Sequence, residues 1–307
     1  RLFVVLSCPF WLALGLWCLR KILLRFYSEW IAAAVLVLVY AGTNLFHYSG
    51  HEALMSHAYN FSMITMYVWA VIRWREAPSA WRAGGVGFLA GLITLIRPVN
   101  ILVALVFILY DVRSWRDVPA QLRLFFIRYP HHILVLIACA FLAGLPQLLY
   151  WKHVTGHWLF YSYQGERFFF THPHLIDGLV GFRKGWLIYT PVMAFGLAGL
   201  ALLRRYASPF TLALPVFVAI NIYVVLSGWA WWYGGGFGLR AFIDMYGLMA
   251  LPLGACLTWL FSRGRLAQWA TGAVLAFLLY LNQYQCWQYR RAFIHWDSMT
   301  WPAYRAV

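Results

Sequence analysis

Long apolar runs separated by short basic segments dominate the sequence. Runs of about 17–21 residues are long enough to cross a hydrocarbon core of about 30 Å as helices. Such spans are predicted over 2–19, 30–46, 53–72, 132–151, 185–203, 209–227, 242–262 and 266–281. The pattern predicts an all-α polytopic membrane protein, with residues 1–307 forming a single transmembrane domain.

The apolar run over 84–110 is interrupted by Arg97-Pro98. Proline removes a helix hydrogen bond, and each half of about 13 residues makes only about 20 Å of helix, too short to cross alone. Basic residues flank both ends of the run. The sequence therefore predicts a short re-entrant hairpin, with helices over 84–96 and 98–110 whose outer ends lie on the same, cytoplasmic side.

The distribution of arginine and lysine predicts the orientation. Applied to every loop, the positive-inside rule assigns 47–52, 152–184, 228–241 and the tail 282–307 to the outer face. The first span then runs from outside to inside. We also expect an N-terminal part of a longer protein to precede residue 1, because the chain begins with Arg1 and enters an apolar span at once.

The composition excludes the other broad classes of protein. The chain is 63% hydrophobic, 20% aromatic and 11% charged, with a mean hydropathy of +0.68. These values exclude a soluble domain, a disordered chain and a secreted disulfide scaffold. The net charge of +15 sits in short loops between spans, which indicates contacts with membrane lipids and not with nucleic acid.

Polar residues concentrate in the predicted outer segments. At the mouth between the second and third spans, Tyr48 and His57 are candidate ligand contacts, and Glu52 is a candidate ligand or base. The alternative is a solvated loop whose histidines cap helix ends. Arg97 is a candidate anion ligand inside the hairpin, or a donor to carbonyls that Pro98 leaves free.

Two longer outer segments are rich in aromatic rings and cations. In the first, Tyr163 is a candidate sugar contact, and Arg183 with Lys184 is a candidate phosphate site. An interfacial aromatic belt with snorkelling cations is the alternative. In the second, 229–240, glycines allow close approach to a ligand, with Trp232 as a platform and Arg240 as a fixed charge, unless the glycines serve tight packing alone.

In order along the chain, these pieces resemble the bacterial polytopic GT-C glycosyltransferases, near the aminoarabinose transferases and protein O-mannosyltransferases. The stretches that carry the resemblance are Gly91 to Pro98, Tyr150-Trp151 with Thr155-Gly156, Tyr161 to Arg167, Gly185 to Pro191, Trp231 to Arg240, and Ile294 to Thr300. The resemblance implies a GT-C-like helical bundle with outward-facing loops in the bacterial cytoplasmic membrane.

The resemblance further implies transfer of a sugar from a polyprenyl-phosphate donor to a lipid, glycan or protein acceptor on the outer face. Arg97, Arg183, Lys184 and Arg240 are the expected phosphate ligands, and Tyr48, His57, Tyr163 and Trp232 are the expected sugar or acceptor contacts. The catalytic aspartate of the family is expected upstream of residue 1, which leaves Glu52 as the candidate base within this chain. No cofactor is expected, and use of a divalent metal stays open.

Two other classes of function were weighed. A non-catalytic lipid-binding or assembly subunit is the main alternative. A transporter is disfavoured, because the sequence shows no inverted repeat and no acidic residue deep in a predicted span.

Overall fold

The structure is a computed structural model that describes residues 2–161 and 165–307, with side chains from residue 6 onward. Every regular element within these ranges is a helix. The α-helices are α1 Leu2–Leu23, α2 Glu29–Ala41, α3 Leu45–Gly50, α4 Ser56–Glu76, α5 Ala80–Ile96, α6 Ala104–Leu109, α7 Val118–Arg123, α8 Pro130–Thr155, α9 Leu175–Val180, α10 Trp186–Tyr189, α11 Met193–Gly199, α12 Leu203–Tyr206, α13 Ala213–Leu226, α14 Tyr246–Phe261, α15 Arg265–Arg290 and α16 Trp301–Arg305. The 3-10 helices Pro98–Val103 and Arg240–Met245 lead into α6 and α14.

Three helical segments are long and apolar enough to cross a membrane. They are Leu6–Leu23 in α1, Pro130–Thr155, which is α8, and Arg240–Phe261, which ends with α14. Almost no side chain of α8 is buried in the protein, although it is the most apolar of the three. Exposing such a large apolar surface to water is unfavourable, so the all-helical fold is compatible with a membrane protein.

The helix α14 lies at the centre of the structure, with nearly all of its side chains buried. It packs against α2, α4 and α11. The Tyr27 hydroxyl, on the turn after α1, donates to the Leu251 carbonyl at 2.5 Å. The Tyr27 ring also lies so close to Gly254 that a Cβ there would approach it to 2.6 Å. The predicted span over 242–262 therefore becomes the axis around which the other helices pack.

The chain reverses direction at Arg97-Pro98, between the two helices that the sequence predicts there. Arg97 lies beside His57 at the beginning of α4. At the other end of α4, the Arg75 guanidinium donates to the Tyr110 carbonyl at 3.0 Å. The two outer ends of the hairpin therefore lie at the same end of α4.

The first limb of the hairpin is longer than predicted. The helix α5 begins at Ala80, not at residue 84, and its 17 residues make about 26 Å of helix. Ser79 caps it by accepting from the Arg82 amide. This limb consequently runs along most of α4, farther than a 13-residue helix would reach. The second limb, predicted as a helix over 98–110, is the 3-10 helix Pro98–Val103 followed by α6.

Other predicted spans are interrupted or extended. The run over 185–203 is divided into α10, α11 and α12, with Pro191 after the end of α10; a proline there cannot continue the hydrogen-bond ladder. The helix α15 continues to Arg290, beyond the predicted end at 281.

Glycines bring α5 and α8 into backbone contact. A Cβ on Gly87 would lie 2.0 Å from the Leu136 carbonyl oxygen, and one on Gly91 would lie 2.5 Å from the Ala140 carbonyl oxygen. The spacing of these glycines is the small-residue pattern that lets membrane helices approach closely. This close contact holds α8, which otherwise has few buried side chains, against the rest of the protein.

Gly87→Ala is expected to lower the free energy of unfolding by about 1–3 kcal/mol, because the added methyl group overlaps the backbone of α8. Gly85 is the matched control, since it lies in the same helix and a Cβ there meets nothing within 4 Å. Gly85→Ala should raise stability by about 0.5–1 kcal/mol through helix propensity. Denaturation of both variants in detergent tests this, and a stabilised Gly87→Ala variant would contradict the α5–α8 contact.

Candidate functional site

The segment 229–240, which we call the glycine loop, connects α13 to the 3-10 helix that precedes α14. Its glycines Gly234, Gly236 and Gly238 all have positive φ, which side chains rarely allow. At Gly236 a Cβ would also lie 2.4 Å from the Tyr48 hydroxyl. The glycines are therefore required by the course of the backbone, and they let neighbouring side chains reach it.

Lys184 is buried beneath the glycine loop. Its ammonium group donates to the Gly236 carbonyl and, at 2.6 Å, to the Trp296 carbonyl. Burial lowers the pKa of Lys184 from 10.5 to about 8, although the nearby Asp297 opposes this. Lys184 thus fastens the loop to the C-terminal tail, and only 2% of the residue is exposed.

Arg183 lies on the other side of this junction. Its guanidinium donates to a carboxylate oxygen of Asp297 at 3.0 Å and stacks over the Trp232 ring at 3.7 Å. The Ser298 hydroxyl and the Arg183 guanidinium hold the pKa of Asp297 below its ordinary value. Trp232 is half-buried, so one predicted sugar contact and one predicted phosphate ligand are in direct contact.

Arg97 contacts the glycine loop from the hairpin. Its guanidinium stacks over the Tyr233 ring at 4.9 Å and lies 3.5 Å from a carboxylate oxygen of Asp244. Burial raises the pKa of Tyr233, so its ring remains neutral beside the cation. The predicted anion ligand is therefore already paired with an acid.

Asp244 is the centre of a buried polar cluster that sequence analysis missed. Its carboxylate accepts from Asn100 at 2.7 Å and Asn60 at 3.1 Å, and lies 3.0 Å from Nδ1 of His57. The same Nδ1 is 3.0 Å from the Arg97 guanidinium, which cannot accept a hydrogen bond. We place the proton on Nδ1, because a bond to the carboxylate is charge-assisted.

One signal could have revealed this cluster. Asp244 interrupts an otherwise apolar run, and an ionisable residue in a predicted span indicates a functional or paired site. Its partners Asn60 and Asn100 also stand in apolar runs. Asp244 lies at the beginning of the predicted span over 242–262, so the expectation that no acidic residue lies deep in a span is unaffected.

Arg240 has the least compensated charge of the four predicted cations. One guanidinium nitrogen donates to the Gly235 carbonyl at 3.0 Å. Its Nε is buried and has no hydrogen-bond partner within the described ranges. Among the residues that the structure describes, no carboxylate forms a salt bridge with Arg240.

A cavity of about 400 Å³ opens beside the tail. His47, His51, Glu52, Tyr289, Arg290 and Trp296 are among the residues that line it. Glu52 accepts from Nε2 of His47 at 3.1 Å, and this bond is the main reason why the pKa of Glu52 is lowered. Glu52 is thus an ionised acceptor at an accessible surface.

The remaining predicted contacts are placed differently. Tyr48 is fully buried, and its hydroxyl accepts from the Phe237 amide at 2.9 Å. His57 is buried against Asp244. In this conformation neither side chain offers a surface to a sugar, which corrects the expectation that both line an open mouth. Tyr163 lies outside the described residues.

Metal-ligating side chains do not gather within the described ranges: no three of His, Cys, Asp or Glu are arranged to hold an ion there. The chain matches no family model, no curated protein and no solved structure. The geometry of the site is therefore the basis for its interpretation.

Asp244→Asn is expected to lower the free energy of unfolding by about 3–5 kcal/mol, because it removes the buried counter-charge of the half-buried Arg97. The matched control is Asp297→Asn, which breaks a more exposed pair with Arg183 and should cost about 0–1 kcal/mol. Unfolding of both variants in mixed micelles gives the two values. Equal losses would show that the Asp244 cluster does not organise the fold.

Lys184 is expected to make stability depend on pH. Its pKa is about 8 in the folded protein and 10.5 ordinarily, so between these values the unfolded chain binds the extra proton. Stability of the wild type should then rise with pH relative to Lys184→Met, by about 1 kcal/mol per pH unit. Parallel unfolding curves at pH 7.5 and pH 10 test this, and a constant difference between the two proteins would contradict the lowered pKa.

Proposed function

We propose that the protein is a GT-C-like glycosyltransferase that moves a sugar from a polyprenyl-phosphate donor to an acceptor. The observation that carries this proposal is the convergence of Arg97, Arg183, Lys184 and Arg240 on the glycine loop. These cations come from three separate regions of the sequence, because Arg183 and Lys184 are adjacent. A fold that needed only loop packing would have no reason to gather one buried and three half-buried cations at one place.

The charges of the site suit a departing phosphate. Arg97 and Arg183 are each paired with an aspartate. Lys184 instead donates to carbonyl groups, and Arg240 donates to the Gly235 carbonyl and lies 4.0 Å from the Met55 sulfur. The site therefore keeps a positive charge that internal acids do not neutralise. Preorganised donors of this kind stabilise negative charge that develops on a leaving group.

The reaction would proceed by attack of an acceptor hydroxyl on the anomeric carbon. The bond between that carbon and the phosphate oxygen breaks, the phosphate leaves with the electron pair, and a base takes the hydroxyl proton. Glu52 is the candidate base by position, because its carboxylate lines the cavity beside the tail. Trp232 and Trp296 supply aromatic surfaces on which a sugar ring can stack.

We also propose a membrane arrangement for this reaction. In the GT-C-like bundle, the glycine loop, Glu52 and the tail face outward from a bacterial cytoplasmic membrane, and the hairpin is re-entrant. Two observations support this: the outer ends of the hairpin lie at one end of α4, and Arg97 lies at the other. A lipid-linked donor would present its phosphate at the outer membrane–water interface, next to the glycine loop. The acceptor would be a lipid, a glycan or a protein on the same side.

Arg240→Ala is expected to weaken polyprenyl-phosphate binding by about 1.5–3 kcal/mol, the loss of a hydrogen bond to a charged group. Arg240→Lys should recover only part, because lysine lacks the planar fork of donors. Arg205→Ala is the control, since Arg205 is exposed and stacks only on its neighbour Tyr206. The measurement is a titration of polyprenyl phosphate with each variant in nanodiscs.

Equal affinities for the wild type and Arg240→Ala would remove Arg240 from the site. Binding without any transfer of sugar, in an assay that supplies a polyprenyl-phosphate sugar and candidate acceptors, would favour a non-catalytic lipid-binding subunit.

A further inference from the structure

A second cavity lies at the opposite end of α4 from the glycine loop. This groove, of about 740 Å³, is formed by α4, α5 and α8. Its volume is within the range of about 300–1,000 Å³ that is typical of ligand sites. Arg73, Trp81, Arg82, Gly85, Phe88 and Val135 are among its lining residues, and we call it the arginine groove.

The floor of the groove depends on the absence of a side chain. Gly85 lies on an exposed face of α5, and a Cβ there would meet nothing within 4 Å. Phe88 and Val135 continue the apolar wall toward α8. An extended hydrocarbon chain therefore finds a smooth apolar surface along the middle of α5.

The mouth of the groove is cationic. Arg82 is held in place because one of its nitrogens donates to the carbonyls of Arg73 and Ala77, at 3.0 and 2.7 Å. Its other guanidinium nitrogens have no hydrogen-bond partner in the part of the chain that the structure describes. The orientation of Arg82 is thus fixed while donors remain available to a ligand.

The nearby acid does not neutralise this mouth. Glu76 accepts from Arg73 at 2.9 Å and is also paired with Arg25. One carboxylate is therefore shared between two guanidinium groups, and Arg82 adds a third. Counting these four residues, three positive charges against one negative charge leave an excess of two.

We propose that the arginine groove binds one anionic phospholipid. An acyl chain lies over Gly85 and Phe88, the phosphate contacts Arg73 and Arg82, and Trp81 lies at headgroup level. Trp81 is 89% exposed, as expected of a tryptophan at a membrane interface. This inference rests on the membrane placement in the proposed function, but not on the transfer reaction.

A lipid fits the groove better than a protein segment does. A second copy of this chain would have to bring carboxylates to match Arg73 and Arg82, and the chain has only nine acidic residues against 24 basic ones. The apolar wall beside a cationic mouth has the polarity of a phospholipid. Anionic headgroups are attracted to such basic sites at the membrane surface.

The test uses the full chain and phosphatidylglycerol, with phosphatidylcholine of the same acyl chains as the neutral comparison. Gly85→Leu places a side chain on the floor of the groove, and its matched control is Gly272→Leu in α15, where a Cβ also meets nothing within 4 Å. Arg73→Gln removes one charge while Glu76 keeps Arg25. Its control is Arg265→Gln, an exposed arginine at the beginning of α15.

Lipid titration followed by native mass spectrometry should show one tightly held phosphatidylglycerol per wild-type chain. Gly85→Leu should weaken phosphatidylglycerol binding more than about tenfold, because the leucine displaces about two acyl-chain methylene groups from the apolar wall. Arg73→Gln should weaken it about fivefold, as expected for one basic residue near an anionic headgroup. Both control variants should bind as the wild type does.

The proposal is overturned if phosphatidylcholine binds equally well, or if Gly85→Leu and Gly272→Leu have the same affinity. It is also overturned if Gly85→Leu instead dissociates a dimer of this chain, because the groove would then be a protein interface. The donor site and the arginine groove are distinguished by titrating Gly85→Leu with polyprenyl phosphate, whose binding this variant should retain. Loss of that binding in Arg240→Ala with phosphatidylglycerol retained would support both, whereas a protein that binds only phosphatidylglycerol would refute the donor site alone.

Discussion

The buried carboxylate of Asp244 is the constraint on which the arrangement of the site depends. It joins α4, through His57 and Asn60, to the turn of the hairpin, through Arg97 and Asn100. A buried charge persists only when paired and hydrogen-bonded, so these segments cannot separate without a large cost. Asp244 belongs to the 3-10 helix that follows the glycine loop. The same carboxylate therefore fixes the position of the connection between the loop and α14.

The carbonyl groups of the glycine loop, which follow no regular helix, need hydrogen-bond donors. Carbonyl groups that belong to no helix must find donors wherever water is scarce. Lys184 supplies donors to Gly236 and Trp296, and Arg240 supplies one to Gly235. The cations of the site therefore stabilise the loop by satisfying its carbonyl groups, in addition to giving it a positive charge.

The sequence predicted the parts of the fold that depend on local pattern. Apolar runs indicated the helices, and Pro98 indicated where the hairpin turns, because a proline acts on its own neighbourhood. The Asp244 cluster was missed because its partners lie 184, 187 and 144 positions away, a separation that no local pattern encodes. The burial of Tyr48 was missed for the same reason: its partner, Phe237, belongs to another part of the chain.

The four cations of the site differ in how completely carboxylates and carbonyl groups satisfy their charges and donors. The charge of Arg97 is matched by Asp244, that of Arg183 by Asp297, and two donors of Lys184 are used by carbonyls. Only Arg240, among these four, has a buried donor without a partner, a deficit that costs about 1–3 kcal/mol. The packing around Arg240 must maintain this deficit. Arg240 is therefore the cation whose hydrogen-bonding capacity is least satisfied within the described residues.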